Sequence, residues 1–292
     1  MLVGACSWTD PALVSSGWYP PGSRDAEARL RHYATRFPLV EVDATYYALP
    51  SERNAKLWAD RTPDGFVFDV KAFGLLTGHT VRTAALPPEL RPAARGRDRV
   101  RAADLPPDVV EEVWRLFRAG VAPLREAGRL GAVLFQFPPS FRPGARTRAY
   151  VEECAQRAGA GTRIAVEFRH PAWLVPPHLG AVTNWLTRGR VPLVAVDTAQ
   201  GLPTSLPPVA EATAGDLAVV RFHGRSPQWG TGSKEDAYRH TYTEAELHGW
   251  LPRVHALAER AARVHVLFNN CCGTAAVDAA RTMRGLLGQD AG

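Results

Sequence analysis

The feature that most constrains this chain is a recurrence: eight short apolar runs, mostly set apart by stretches long enough for a helix. The runs are Leu2–Cys6, Leu39–Asp43, Phe66–Val70, Ala132–Gln136, Ile164–Phe168, Leu193–Asp197, Leu217–Phe222 and Val264–Phe268. Runs of roughly four to eight residues rich in Val, Ile and Phe fit strands buried in a parallel sheet. Between them lie helical patterns over Asp25–Arg36, Ser51–Asp60, Pro107–Ala127, Thr147–Ala158, Leu179–Arg188 and Thr243–Ala262, with a last one over Ala275–Leu287. Thr243-Glu244-Ala245-Glu246 matches a capping box, a helix start signal. Alternation carried through eight cycles predicts an α/β fold, a single (β/α)8 barrel of the TIM type. Periodicity does not show closure, so an open doubly wound sheet stays in play. The lack of a phosphate-cradling glycine fingerprint after the first run weighs against it.

Two segments break the rhythm. Thr80–Leu105 is rich in arginine and proline with little periodicity, and reads as a loop insertion or lid between the third and fourth strands. Thr198–Gly215 is too rich in proline for a full helix. No low-complexity linker or second core appears, so residues 1–292 are expected to form one domain.

Composition sets outer bounds. A chain of 292 residues suits a barrel, which uses ~250, and 46% hydrophobic content is ample for its core. No apolar stretch of ~18 residues occurs, so no membrane partner is expected. The N-terminus starts directly as a strand, without a charged region leading an apolar one, which speaks against a secretory signal. The four cysteines, at 6, 154, 271 and 272, make neither a disulfide framework nor a CxxC pair, and a reduced cytoplasm is the simplest setting. First and last strands are neighbours in a closed barrel, which brings Cys6 near Cys271; burial as small apolar residues is their expected role. The net charge of +6 permits an anionic partner, although a bias toward arginine, alanine and proline explains it as well. Nothing in the pattern fixes an oligomeric state.

Side-chain parity then picks out chemistry. In the fifth run Glu167 and Arg169 share one face while Val166 and Phe168 take the other, and Pro171 stops the strand. The same parity gives Glu41 and Asp43, Asp69 and Lys71, Gln136, Asp197, Arg221 and His223, with Asn269 and Asn270 ending the last run. In a barrel these positions converge on the C-terminal mouth, where active sites sit. An internal ion-pair network, Glu167 with Lys71 or Asp197 with Arg221, is the structural alternative. Interior pairs often contribute little net stability, so a ligand site is the stronger reading.

Lys71, Arg169 and Arg221 suit an anion such as phosphate. Glu41, Glu167 and His223 are the candidate acids and bases. Gln136, Asp197, Asn269 and Asn270 are positioned to hydrogen-bond substrate, and Trp173 and Trp229 to stack on it. Glu41, Glu167, Asp197 and His223 form an oxygen-rich set that admits a divalent metal, but no HxxxH or HExxH spacing supports one. No cofactor is assigned.

The ordered motifs resemble the YecE-like family, which carries the domain of unknown function 72. They are Gly4-Ala5-Cys6-Ser7-Trp8, Trp18-Tyr19-Pro20, Val40-Glu41-Val42-Asp43-Ala44-Thr45-Tyr46-Tyr47, Val70-Lys71-Ala72, Thr77-Gly78-His79 and Leu134-Phe135-Gln136-Phe137-Pro138-Pro139. Glu167-Phe168-Arg169-His170-Pro171-Ala172-Trp173, Arg221-Phe222-His223-Gly224-Arg225 and Phe268-Asn269-Asn270 complete the set, which spans nearly the whole chain. The resemblance implies a TIM-type barrel and supplies no reaction. Likeness to endonuclease IV and sugar-isomerase barrels would favour metal-dependent chemistry on a phosphodiester or a sugar, by fold analogy alone. Asp43 stands where the family usually has Asn, and the Cys271-Cys272 pair is rare in it.

The expectation that follows is an enzyme of the hydrolase or lyase class acting on a phosphate-bearing substrate, a nucleotide or nucleic acid. Arginines 82, 91, 95, 97, 99 and 101 would then extend the footprint along a backbone. A sugar isomerase or lyase, and a non-catalytic ligand-binding or regulatory protein, are the alternatives.

Overall fold

Pairing between the first and last strands separates the two sheet topologies that strand–helix alternation leaves open. The computed structural model describes residues 1–270 and 272–289, without the side chain of Lys234. Its strands are β1 (Leu2–Cys6), β2 (Leu39–Val42), β3 (Val67–Lys71), β4 (Val81–Arg82), β5 (Arg99–Val100), β6 (Leu130–Phe137), β7 (Ile164–Phe168), β8 (Val194–Asp197), β9 (Ala218–Phe222) and β10 (Val264–Phe268). β4 and β5 form a two-stranded ribbon; the other eight form one sheet in the order β7-β6-β3-β2-β1-β10-β9-β8. Apart from the ribbon, and except for β7 and β8, which end the sheet, each strand lies beside its neighbour in sequence, and β1 runs parallel to β10 from Leu2↔His265 to Ala5↔Phe268. A doubly wound sheet reverses its strand order at a switch point. Here the order never reverses, and the fold is a TIM-type (β/α)8 barrel. The expected contact of Cys6 with Cys271 lies outside the described residues.

The chain divides into two compact units, Met1–Glu41 with His170–Gly292, and Val42–Arg169. In the first, the seam between β1 and β2 is drawn unusually close at Gly4. A Cβ there would sit 1.9 Å from the Leu39 carbonyl oxygen, so only glycine fits. The Tyr33 hydroxyl fills the same seam: it accepts from the Ala5 amide at 2.7 Å and donates to the Leu39 carbonyl at 2.9 Å. Tyr33 is carried there by the helix Ala26–Ala34, whose first turn is capped by the Asp25 carboxylate. Further along, the single helix expected over Thr243–Ala262 is two, Glu244–His248 and Leu251–Arg260. Pro252 lacks an amide hydrogen and its ring would clash with the carbonyl four residues back, so the helix restarts. The Thr243–Glu246 capping box forms as the sequence indicates.

In the second unit the helix Pro107–Glu126 packs on the helix Glu52–Asp60. Aromatic rings fill the space against the sheet: Trp114 stacks on Phe135, and Phe137, Phe141 and Phe168 form a mutually stacked cluster. The β3–β6 ladder slips between Phe68 and Val70, which pair with Leu130 and Val133. Asp69 repairs that bulge by accepting the Ala132 amide at 2.9 Å. Its inward parity therefore serves the ladder rather than a ligand.

The 80–105 segment carries more structure than a loop. Val81 pairs with Val100 and Arg82 with Arg99 in an antiparallel ribbon. Thr83 donates to the Arg97 carbonyl at 2.5 Å, and Arg91 donates to the carbonyls of Leu86 and Ala84. Val81, Leu86, Ala94 and Val100 are buried beneath it. Among the described residues no helix is long and apolar enough to cross a membrane.

The Gly4 seam gives a direct test by urea unfolding. Gly4→Ala is expected to lose about 3 kcal/mol, as overpacking against fixed backbone does. Gly215→Ala, with nothing within 4 Å of the added methyl, is expected to be neutral. Equal stability of the two variants would contradict the close seam.

Candidate functional site

The Val42–Arg169 unit gathers its polar residues at the C-terminal ends of its strands. β3 ends in Lys71, and the chain then makes a 3-10 turn, Gly74–Thr77, that closes on Gly78 in the left-handed conformation. A φ of 79° there favours glycine, and it folds the His79 amide back onto the Gly74 carbonyl at 3.0 Å. β2 ends in a second such turn, Asp43–Tyr46, whose Thr45 hydroxyl lies 2.6 Å from the Lys71 carbonyl. These two turns bring side chains together. The Lys71 ammonium donates to Asp43 at 2.8 Å and lies 4.7 Å from the Tyr46 ring centre. The His79 ring meets Tyr46 edge-on, centroids 5.1 Å apart.

On the neighbouring strands, Gln136 of β6 is in register with Glu167 of β7. Arg169, just past β7, pairs through Nε with Glu167 and donates from Nη2 to Gln136 at 3.0 Å. Lys71 and Arg169 both act on His79. Burial first, then the positive charges of Lys71 and Arg169, lower its pKa to about 4, so the imidazole is neutral near pH 7. The Thr77 hydroxyl donates to the Gly74 carbonyl at 3.1 Å and lies 2.8 Å from His79 Nδ1. With its proton on Gly74, that hydroxyl accepts from Nδ1–H and leaves Nε2 as the bare, basic nitrogen.

The other unit has three groups of its own. Arg221 of β9 donates to Glu41 at 2.6 Å and to the Cys6 sulfur at 3.7 Å, and neither charged side chain has any exposure. Asp197, ending β8, receives four donors: Arg225 from Nε at 2.9 Å and Nη2 at 2.8 Å, the Tyr242 hydroxyl at 2.7 Å and the Trp250 indole at 2.7 Å. Burial and the Asp197 charge push Tyr242 well above its usual range, so it stays a neutral donor. His223 is buried, 3.1 Å from Asn269, with Trp229 and Tyr238 around its ring. Asn270 donates to the His240 carbonyl at 2.9 Å.

Several expectations need correction. Arg221 is wholly enclosed and paired with Glu41, so it acts as an internal anchor. Asp197 pairs with Arg225 rather than Arg221, and its oxygens are already committed to protein donors. Glu167 pairs with Arg169 on its own strand end, while Lys71 pairs with Asp43. Trp173 is fully enclosed and stacked near Trp185, and Trp229 is buried with its indole on the Thr204 carbonyl, so both rings pack the protein rather than face a ligand. Among the described residues no group of three or more His, Cys, Asp or Glu side chains is placed to hold a metal. Sequence parity missed His79, Tyr46, Arg225 and Tyr242, because all four sit on turns and loops beyond the strands. The signal was the Thr77-Gly78-His79 motif, whose glycine marks a tight turn returning to the strand end.

A family model described as protein of unknown function DUF72 matches residues 2–292. UPF0759 protein YunF of Bacillus subtilis (strain 168) is 31% identical over 294 residues, covering 98% of this chain and 94% of the relative. A solved DUF72 family protein from Thermotoga maritima MSB8 aligns at 28% identity over 98% of each chain, with a TM-score of 0.77. Another, from Enterococcus faecalis V583, shares the fold at a TM-score of 0.80 and 24% identity, over 98% of this chain and 95% of that one.

Removing one partner of the enclosed Glu41–Arg221 pair leaves a buried charge unmet. Glu41→Leu and Arg221→Met are each expected to cost about 3–5 kcal/mol in denaturant unfolding, with the double variant recovering most of the loss. Single variants as stable as the parent would show that the pair does not anchor these strands.

Proposed function

The chain belongs to the DUF72 family, and from that premise we propose that it is an enzyme acting on a phosphate-bearing substrate at the strand ends of the Val42–Arg169 unit. Lys71 and Arg169 hold the phosphate, Gln136 orients the Arg169 guanidinium, and Glu167 positions that arginine from behind. His79 is the proton-transfer group. The observation carrying this reading is the His79 ring, held at Nδ1 beside the Thr77 hydroxyl at 2.8 Å, whose pKa is lowered first by burial and then by the charges of Lys71 and Arg169. Glu41 and His223, both enclosed in the other unit, take supporting roles.

Charge balance makes the reading chemically specific. An anion placed on Lys71 and Arg169 offsets the positive field that holds His79 down, so the imidazole becomes more basic with substrate bound. Nε2 then takes a proton from an attacking water as its oxygen bonds to phosphorus. The P–O bond to the leaving group breaks, and the imidazolium returns its proton to the leaving oxygen. Hydrolysis of a phosphate ester is the reaction class this supports.

Phosphate release from a panel of phosphate monoesters, including the mononucleotides, tests it. His79→Gln is expected to lower kcat about 10²–10⁴-fold with KM little changed. Lys71→Met is expected to raise KM through loss of the anion contact. Unaltered turnover in His79→Gln would sink the assignment.

A further inference from the structure

The arginines of the 80–105 segment are clustered without counter-charges. This chain favours arginine throughout, and on several helices arginine is paired with an acid. Arg31, Arg115, Arg157 and Arg281 lie on helix faces with acids three or four residues away, at 2.7–3.1 Å. In the ribbon segment, none of the six arginines at 82, 91, 95, 97, 99 and 101 has a carboxylate within 4.0 Å among the described residues. Glu89, Asp98 and Asp104 are the segment's three acids, and Asp104 is occupied with the Arg101 amide.

The arrangement also sets like charges against one another. Arg82 and Arg99 are direct cross-strand partners, a placement that is unfavourable without a counter-charge. Arg99 and Arg101 both reach Thr80, one through its carbonyl at 3.3 Å and one through its hydroxyl at 3.0 Å. Arg82, Arg91, Arg97 and Arg99 line a recess of about 540 Å³ with a single acid, Asp98, among its walls. Hydrogen bonds to Thr80, Ala84 and Leu86 hold three of the six guanidinium groups in place. A preorganised, unneutralised set of guanidinium forks matches phosphate oxygens.

We infer that the β4–β5 ribbon and the loop joining its strands form a docking surface for the phosphate backbone of a nucleic-acid duplex, independent of base sequence. Residues 80–105 contain no Phe, Tyr or Trp, so they offer unpaired bases no stacking platform. The exposed large hydrophobic residues, Met1, Tyr47 and Val175, lie outside the ribbon, which therefore has nothing of that kind to insert into a lipid surface. A duplex turns its bases inward and presents phosphates, which is the chemistry the ribbon answers. The inference stands on the ribbon alone and is independent of the His79 chemistry.

Fluorescence anisotropy with a short mixed-sequence DNA duplex, its RNA counterpart and phosphatidylserine-containing vesicles tests it across a salt series, using the full chain. Binding to one or both duplexes is expected, with log affinity falling linearly in log salt. Among the described residues the side chains of Arg82 and Arg97 have no hydrogen-bond partner. Arg82→Gln/Arg97→Gln is thus expected to leave the fold intact, reduce the salt slope by about 2 and weaken binding about tenfold. The same double variant should hydrolyse mononucleotides like the parent, while Lys71→Met should bind duplex like the parent. That crossing separates failure of the docking surface from failure of the active site. No duplex binding by the parent, an unchanged slope in the double variant, or binding to vesicles in place of duplexes would overturn the inference.

Discussion

Charged side chains on buried strands must meet an opposite charge where they emerge, because a low-dielectric surrounding penalises an ion left alone. That constraint organises the strand ends of both units. Glu41 meets Arg221, Glu167 meets Arg169, Asp43 meets Lys71 and Asp197 meets Arg225. Solvent exposure then sorts them. Arg221 and Glu41 are both at 0%, whereas Lys71 and Asp43 stand at 9% and 22% and Arg225 at 32%. The first pair fixes strands in place. The Lys71 pair reaches water and keeps a cation close to a depressed imidazole, the kind of setting that the proposed chemistry requires.

The Val42–Arg169 unit concentrates this property along one short stretch of chain. Lys71 ends a strand, His79 follows one tight turn later, and the arginine ribbon starts two residues after that at Val81. One segment thus carries a cation, a base and a row of unneutralised guanidinium groups in sequence. The glycine at 78 makes the return possible, and Thr45 ties the opposing turn to the same strand end. In the other unit the polar groups are spent on one another: Asp197 alone holds Arg225, Tyr242 and Trp250. Its network braces loops.

The eight barrel strands were legible in the sequence because burial on both faces leaves continuous apolar runs, and three of them, β1, β7 and β10, match to the residue. Parity also placed Gln136 and Glu167 at matching positions, and these pair in register with Arg169 bonded to both, since alternation along a strand is set by backbone geometry. Pairing was not legible. Glu167 took Arg169 from its own strand and Asp197 took Arg225 from a loop, choices that depend on side-chain reach rather than on strand periodicity. Asp69 fell on the expected face but answers a ladder slip, which leaves no trace in a pattern of apolar residues. Trp173 follows a charged strand end, yet packing near Trp185 claimed it. The ribbon was hidden because two-residue strands are too short to show periodicity.

The central claim is that Lys71 and Arg169 make an anion site that controls the basicity of His79, and NMR titration of the His79 ring measures it directly. In the free protein the account predicts a pKa of about 4, well under the ordinary 6.5, rising when inorganic phosphate is added and when Lys71 is replaced by Met. A ring that titrates near 6.5 in the free protein, or that ignores both phosphate and the substitution, would contradict it.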